Sequence, residues 1–151
     1  MGEDTAVIVL IDGSEETLRA ALFASGLAAR ARTRLVVVSP AFTNPVPIGS
    51  GGRLPPDVSA AVHEVRREDA YEEADRRLHD IRRRLELTGS VELRIAEVGQ
   101  SLAESVLVLL ERERCLTMVL PRRGPGWLMR LLGDDTDDIV KRSRVPVTLV
   151  P

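Results

Sequence analysis

Hydrophobic residues along this chain follow two patterns that alternate with each other. Four nearly unbroken aliphatic runs, typical of strands buried on both faces of a sheet, lie at 5–11, 34–39, 115–120 and 145–150. A fifth strand is predicted at 91–98, where apolar and polar residues alternate as they do near a sheet edge. Helical periodicity fills the intervals, at 15–31, at about 58–87, after Ser101 and at 135–142. This order predicts an α/β fold with a parallel sheet and helices on both of its faces.

Two of the predicted helices begin with capping signals. Ser14 precedes the first helix, and Ser101 and Glu104 have the spacing of a capping box before the third. In the last helix, the periodicity predicts that Ile139 and Val140 both point inward. For the first helix it predicts an inner face made of Leu18, Ala21, Leu22, Ser25 and Ala29.

Composition narrows the class of protein. A length of 151 residues favours a single domain over 1–151. The 21 basic and 23 acidic residues nearly cancel, so we expect no electrostatic attraction to nucleic acid or to a membrane surface. No run of about 18 apolar residues occurs, and the acidic opening Glu3-Asp4 is unlike a secretory leader. The single cysteine, Cys115, excludes an intramolecular disulfide and fits a reducing compartment, so we expect a cytoplasmic protein.

Two segments without regular periodicity are long enough to carry function. The segment 40–57 is rich in proline and glycine and is predicted to be a loop, as is 121–133. The second loop contains the apolar stretch 127–132, which either packs over a neighbouring cleft or forms a patch for an unidentified protein partner. Ligands in such folds bind at the carboxyl ends of strands, where the winding direction reverses, so these loops are candidate sites.

The order of these segments resembles the universal stress protein family. The residues that carry the resemblance are TAVIVLIDGSEETLRAA at the start, Gly99 before a capped helix, CLTMVL, PRRGPGWLMRLLG and VPVTLVP. The resemblance covers essentially the whole chain. It implies a Rossmann-like, five-stranded sheet in the order 3-2-1-4-5, in which loops 12–14 and 121–135 share one cleft. It further implies binding of an adenine nucleotide, AMP or ATP, in that cleft and a homodimer formed through the last strand, 145–150.

The same resemblance supplies candidate nucleotide-binding residues. Asp12 and Gly13 follow the first strand, where the family's acid contacts the nucleoside, and Ser39 lies where backbone groups usually meet the adenine. The candidates for the phosphates follow the fourth strand and are Arg122, Arg123, Gly124, Gly133, Asp134, Asp135 and Thr136. Glycines let backbone N–H groups approach a phosphate, and a hydroxyl with a helix N-terminus then holds the anion. For Asp12, a purely structural role in the turn before the helix stays open.

We call residues 121–136, which contain these phosphate candidates, the phosphate segment. It departs from the family pattern, which is G-x-x-G, nine residues, then G-[ST]. Pro121 replaces the first glycine and has no N–H to donate. Gly124 matches the second, but only eight residues separate it from Gly133, and Asp134 stands where Ser or Thr is expected. At an effective dielectric constant of ~20, like charges ~4 Å apart repel by roughly 4 kcal/mol. The sequence therefore predicts weak or vestigial ATP binding and leaves AMP open, with no cofactor required.

Three further aspartates follow Asp134 by residue 138. They either cap the last helix and complement its dipole or, on weaker grounds, hold a metal ion, although we recognise no ligand spacing among them. We assign no metal site.

These observations favour a homodimeric regulatory module of the stress-protein type. The alternative is a nucleotide-independent interaction module that acts through the dimer and the 121–133 loop. Ser14 has no evident histidine partner, and no nucleophile is paired with a general base. We therefore assign no catalytic residue and regard enzymatic turnover as the least supported function.

Overall fold

The computed structural model describes residues 4–43, 56–86, 91–98, 101–122 and 135–151, with side chains except in 56–65 and 135–136. The strands in these ranges are β1 (Ala6–Leu10), β2 (Arg34–Phe42), β3 (Val91–Val98), β4 (Cys115–Pro121) and β5 (Val147–Val150). The helices are α1 (Glu15–Ala31), α2 (Pro56–Arg84), α3 (Leu102–Arg112) and α4 (Asp135–Arg142).

The five strands form one sheet in the order β3-β2-β1-β4-β5, and each neighbouring pair is parallel. The predicted order and the predicted edge position of β3 are therefore confirmed. From β1 the chain moves outward to β2 and β3, then crosses back to place β4 on the other side of β1. The carboxyl ends of β1 and β4 thus lie side by side where the winding direction reverses.

Strand β1 is the centre of the hydrophobic core, and each of its five residues is fully or almost fully buried. Successive side chains of a strand point to opposite faces of the sheet. Val7 and Val9 pack with apolar residues of α1 and α2, whereas Ile8 and Leu10 pack with those of α3 and α4. The predicted arrangement of helices on both faces is confirmed.

Small residues form the buried face of α1, which differs from the predicted face. Leu22 is 60% exposed, and the neighbouring Phe23 is 48% exposed. Ala29 is exposed as well. The buried residues are Thr17, Ala20, Ala21, Ala24 and Ala28. Their short side chains let the helix backbone lie close to the sheet, a fit that apolar periodicity alone does not reveal. The prediction for the last helix was half right, because Ile139 is buried but Val140 is 47% exposed.

Strand β2 continues three residues beyond the predicted end at Ser39, so the predicted start of the loop at residue 40 was wrong. The last β1–β2 pair is Leu10 with Val38, whereas β2 and β3 remain paired as far as Phe42. The N–H of Ile11 donates to the Val38 carbonyl at 2.9 Å. The backbone N–H and C=O groups of successive residues in a strand point to alternate sides. The backbone nitrogen and carbonyl of Pro40 therefore point toward β1, which has already ended at this level. The missing N–H of Pro40 therefore deprives no neighbouring strand of a hydrogen bond. Most of the predicted loop, 44–55, lies outside the described residues.

Caps and ion pairs fix the third and fourth helices. The Ser101 hydroxyl accepts a hydrogen bond from the N–H of Glu104 at 3.3 Å, as the capping box predicts. The Glu104 carboxylate accepts a hydrogen bond at 2.7 Å from Arg142 at the end of α4, and so joins α3 to α4.

Four charged residues form an ion-pair network on the surface formed by β2, β3 and the segment before β4. Glu92 accepts hydrogen bonds from Arg34 at 2.8 Å and from Arg94 at 2.6 Å. Arg94 also pairs with Glu113, and Arg34 approaches Glu113 at 3.6 Å. The hydrogen bond from Arg94 and the positive charges of both arginines lower the pKa of the Glu92 carboxyl from its ordinary value of 4.5.

We expect Glu92→Gln to destabilise the fold at neutral pH and to lose this effect once the pH falls below the lowered folded-state pKa of Glu92. Because the folded-state pKa of Glu92 is lowered, its stabilisation is present above 4.5 and is lost as the pH falls through the folded-state value. The loss should stay below about 1 kcal/mol, since 40% of the Glu92 side chain is exposed. Urea unfolding of both proteins over a pH series measures this difference. Glu72→Gln, at an exposed position of α2, is the matched control, and an equal effect from the two variants would contradict the prediction.

Candidate functional site

The turn between β1 and α1 is organised by the Asp12 carboxylate. Asp12 is 7% exposed and directly follows the last core residue of this segment. Its Oδ1 atom accepts a hydrogen bond from the N–H of Ser14 at 2.8 Å and from the Thr17 hydroxyl at 2.9 Å. The Asp12 N–H in turn donates to Thr17 Oγ1 at 3.2 Å. The carboxylate is therefore held in one orientation at the carboxyl end of the central strand.

The first turn of α1 completes this arrangement. Ser14 is the N-cap, and its hydroxyl accepts a hydrogen bond from the N–H of Thr17 at 3.3 Å. Thr17 is buried and joins the cap to the aspartate through the hydrogen bonds already described. The structure thus supports the structural role that the sequence left open for Asp12.

Gly13 allows the sharp turn between strand and helix. Its φ of +87° lies in the left-handed region, so a side chain at this position would be strained. A Cβ built on Gly13 would lie 3.8 Å from Cγ of Arg77, which brings α2 directly against the turn. We call residues 12–14 the β1 turn.

Arg77 is a residue of this region that the sequence did not identify. Its Nη1 donates to the Pro40 carbonyl at 3.5 Å, and its Nη2 lies 2.6 Å from the Glu73 carboxylate. Only 17% of its side chain is exposed. The charge pattern of α2 predicts a solvated face, and no local signal distinguishes Arg77 from its neighbours on that helix.

Ser39 lies inside β2, opposite Ile95 of β3, and is fully buried. Among the described residues, its hydroxyl has no hydrogen-bond partner. The hydroxyl is on the face of β2 that packs against α1 and α2, because it follows Leu35 and Val37 at two-residue intervals. The neighbouring Pro40 carbonyl is the β2 group that points past the end of β1.

The other half of the predicted cleft is described only at its beginning. Pro121 is the buried last residue of β4, and the N–H of Arg122 donates to the Val150 carbonyl at 2.7 Å. The candidates Arg123, Gly124, Gly133 and Asp134 lie outside the described residues, as do the side chains of Asp135 and Thr136. The sheet order brings the strand ends that carry Asp12 and Arg122 together, while the roles assigned to the phosphate segment stay predictions.

In the parts of the chain that the structure describes, no three histidine, cysteine, aspartate or glutamate side chains gather as metal ligands would. No helix within those parts is long and apolar enough to cross a bilayer.

The Cys115 thiol is partly buried, and this burial raises its pKa to about 11, so the thiol stays protonated at neutral pH.

Comparison with known proteins gives the same fold over the whole chain. The chain matches the universal stress protein family over residues 5–151. UspA from Lactobacillus plantarum is 14% identical with a TM-score of 0.72, and the match covers 100% of both chains. The universal stress protein from Archaeoglobus fulgidus in complex with dAMP is 16% identical with a TM-score of 0.61, covering 99% of this chain and 100% of that one. A universal stress protein in complex with cAMP is 21% identical with a TM-score of 0.57, covering 99% of each chain. No curated protein matches.

The match over nearly the full length shows that this chain belongs to the universal stress protein family. The solved structures, all at low identity, show the fold that its members share.

Proposed function

We propose that this protein is a cytoplasmic, homodimeric regulatory module whose single domain, 1–151, binds an adenine nucleotide in the cleft between β1 and β4. The observation that carries the proposal is the buried, oriented Asp12 carboxylate at the point where the sheet order reverses. Two similar universal stress proteins are in complex with dAMP and cAMP, which supports an adenine nucleotide as the ligand.

Asp12 would contact the sugar of the nucleotide. A carboxylate is an acceptor with two oxygens, and the donors that it needs on a nucleoside are the ribose hydroxyls. Because Ser14 and Thr17 already fix Oδ1, the carboxylate loses little conformational freedom when a ligand binds. This preorganisation supports recognition of the nucleoside even where the phosphate segment is impaired.

The end of β2 would contact the base. The Pro40 carbonyl is an acceptor directed past the end of β1, and it suits a donor such as the amino group of adenine. Its present donor is Arg77 at 3.5 Å, a long hydrogen bond that a better aligned donor would replace. The buried Ser39 hydroxyl, which lacks a partner among the described residues, marks this part of β2 as incompletely satisfied.

The phosphate segment determines which nucleotide binds better. Asp134 at the position of the anion-holding hydroxyl, followed by three aspartates, disfavours each added phosphate charge. We expect AMP to bind about tenfold more tightly than ATP, in accord with an energetic difference of about 1.4 kcal/mol. Calorimetric titrations with both nucleotides, with and without magnesium, measure this ratio. Tighter binding of ATP would contradict the inferred impairment, and failure of both nucleotides to saturate would contradict the nucleotide site itself.

A nucleotide-independent interaction module is the second candidate function. The observation that favours it is the pair of adjacent, exposed apolar side chains on α1, Leu22 and Phe23. The 121–133 loop, the other candidate surface for a protein partner, lies largely outside the described residues. The same titrations separate the two functions, because only the nucleotide-binding module saturates with AMP.

A further inference from the structure

The end of β2 offers a ligand a hydrogen-bond acceptor at Pro40 but no donor. In a strand, the N–H and the carbonyl of one residue point to the same side, so a strand end usually presents both groups together. Pro40 has the carbonyl but lacks the N–H. Its backbone points toward β1, whose last pair with β2 lies two residues earlier, at Val38. Pro40 can therefore accept a hydrogen bond from a base but cannot donate one.

Arg77 places a donor beside this acceptor. Its Nη1 lies 3.5 Å from the Pro40 carbonyl oxygen, and its Cγ lies 3.8 Å from a Cβ built on Gly13. The carboxylate of Glu73, one turn earlier on α2, lies 2.6 Å from Nη2 and restrains the guanidinium group. With 17% of its side chain exposed, Arg77 extends from the β1 turn to the end of β2. These are the two places that the proposed function assigns to the nucleoside.

An acceptor with a donor beside it is complementary to adenine. Adenine presents its amino group as a donor next to a ring nitrogen, N1 or N7, that accepts, and amide side chains recognise it through such a pair. Guanine presents the O6 acceptor in place of the amino group, and O6 would face the Pro40 carbonyl oxygen. Because the present contact between Arg77 and Pro40 is long, Arg77 loses little when the amino group of adenine replaces it.

We propose that Arg77 is a specificity-determining residue that donates to a ring nitrogen of adenine and so replaces the N–H that Pro40 lacks. The inference rests on the proposed function, under which the base lies beside the Pro40 carbonyl. It adds a side chain of α2 to a site otherwise formed at the ends of strands. Adenine is then recognised by one backbone acceptor and one side-chain donor, which belong to different elements of the fold.

Analogues that lack one ring nitrogen test this contact. The analogues 1-deaza-AMP and 7-deaza-AMP each replace one candidate acceptor by a C–H group, and the wild type should bind one of them about tenfold more weakly than AMP. Arg77→Met keeps an unbranched side chain without a donor, so AMP should weaken about tenfold and the difference between AMP and that analogue should disappear. Arg76→Met, at an exposed position of the same helix, should retain the difference. A purely structural role for Arg77 would weaken all three ligands equally and leave the difference intact.

Pro40→Ala supplies a variant whose expected effect is a gain. It gives the end of β2 an N–H on the same side as the carbonyl, so in the Arg77→Met background it should restore AMP affinity about tenfold, a recovery that misfolding cannot produce.

Three results would overturn the inference while the nucleoside site stands. They are equal binding of AMP and both analogues by the wild type, an intact difference between the ligands in Arg77→Met, and failure of Pro40→Ala to restore affinity in that background. A wild type that does not saturate with AMP would instead overturn the proposed function and this inference with it.

Discussion

Replacing Asp12 by alanine should weaken AMP binding by about 10- to 100-fold, which corresponds to the loss of a charge-assisted hydrogen bond in a buried turn. The substitution removes the carboxylate that would accept a hydrogen bond from a ribose hydroxyl. It also leaves the Ser14 N–H and the Thr17 hydroxyl without the acceptor that they now share. Isothermal titration well below the melting temperature of each variant measures the effect on binding separately from the effect on folding.

The control for Asp12 is an aspartate that lies elsewhere. Asp69 is exposed on α2, and Asp69→Ala should leave AMP affinity within about twofold of the wild type. If Asp12→Ala binds AMP as the wild type does while remaining folded, Asp12 serves the turn alone and the proposed nucleoside contact is wrong.

Placing a charge at Leu149 should dissociate the proposed dimer. Among the described residues, strand β5 pairs only with β4 and ends the sheet, so they leave its other edge open. Leu149 has a large apolar side chain, yet it is 41% exposed. In a two-fold symmetric pairing of β5 strands, Leu149→Asp would bury one carboxylate from each copy in the same interface. We expect the dimerisation constant to fall on the order of 100-fold, as measured by sedimentation or scattering mass over a concentration series.

Val108→Asp on α3 is the matched control for the dimer, because Val108 is 42% exposed but packs on the side of the sheet near β3. A wild-type protein that stays monomeric at micromolar concentration would contradict the dimer. Equal dissociation by the two aspartates would contradict its location at β5.

The strand order could be predicted because the sequence combines strong local signals with the family resemblance. The unbroken aliphatic run of β1 predicted a strand buried on both faces, and β1 is buried in this way. The α1 N-cap at Ser14 was equally readable, since a hydroxyl before two acidic residues is a local signal. Alternation along β3 correctly indicated the edge of the sheet.

The errors arose where three-dimensional packing overrides local pattern. Leu22 is more hydrophobic than Ala24, yet the helix buries the alanine because only a small side chain fits close to the sheet. A proline usually ends a strand because it cannot donate a backbone hydrogen bond. At Pro40 the neighbouring strand β1 has already ended, so no hydrogen bond is lost. Neither the buried face of α1 nor the extension of β2 past Pro40 can be predicted from local sequence, because each depends on a second secondary-structure element.

The candidate site was predictable only in part, for the same reason. Asp12 could be identified through the family resemblance, because it follows the first strand where the family's acid lies. Arg77 could not, because its approach to Gly13 and to the Pro40 carbonyl depends on how α2 crosses the sheet. An arginine among many charged residues of a long helix carries no local mark of such a contact.

The structure of the complex with AMP tests the nucleoside site most directly. We expect the ribose to lie at the carboxyl end of β1, with a hydroxyl within hydrogen-bond distance of the Asp12 carboxylate, and the base to lie beside the Pro40 carbonyl. AMP bound away from the β1 turn, with no contact to Asp12, would contradict the proposed nucleoside site.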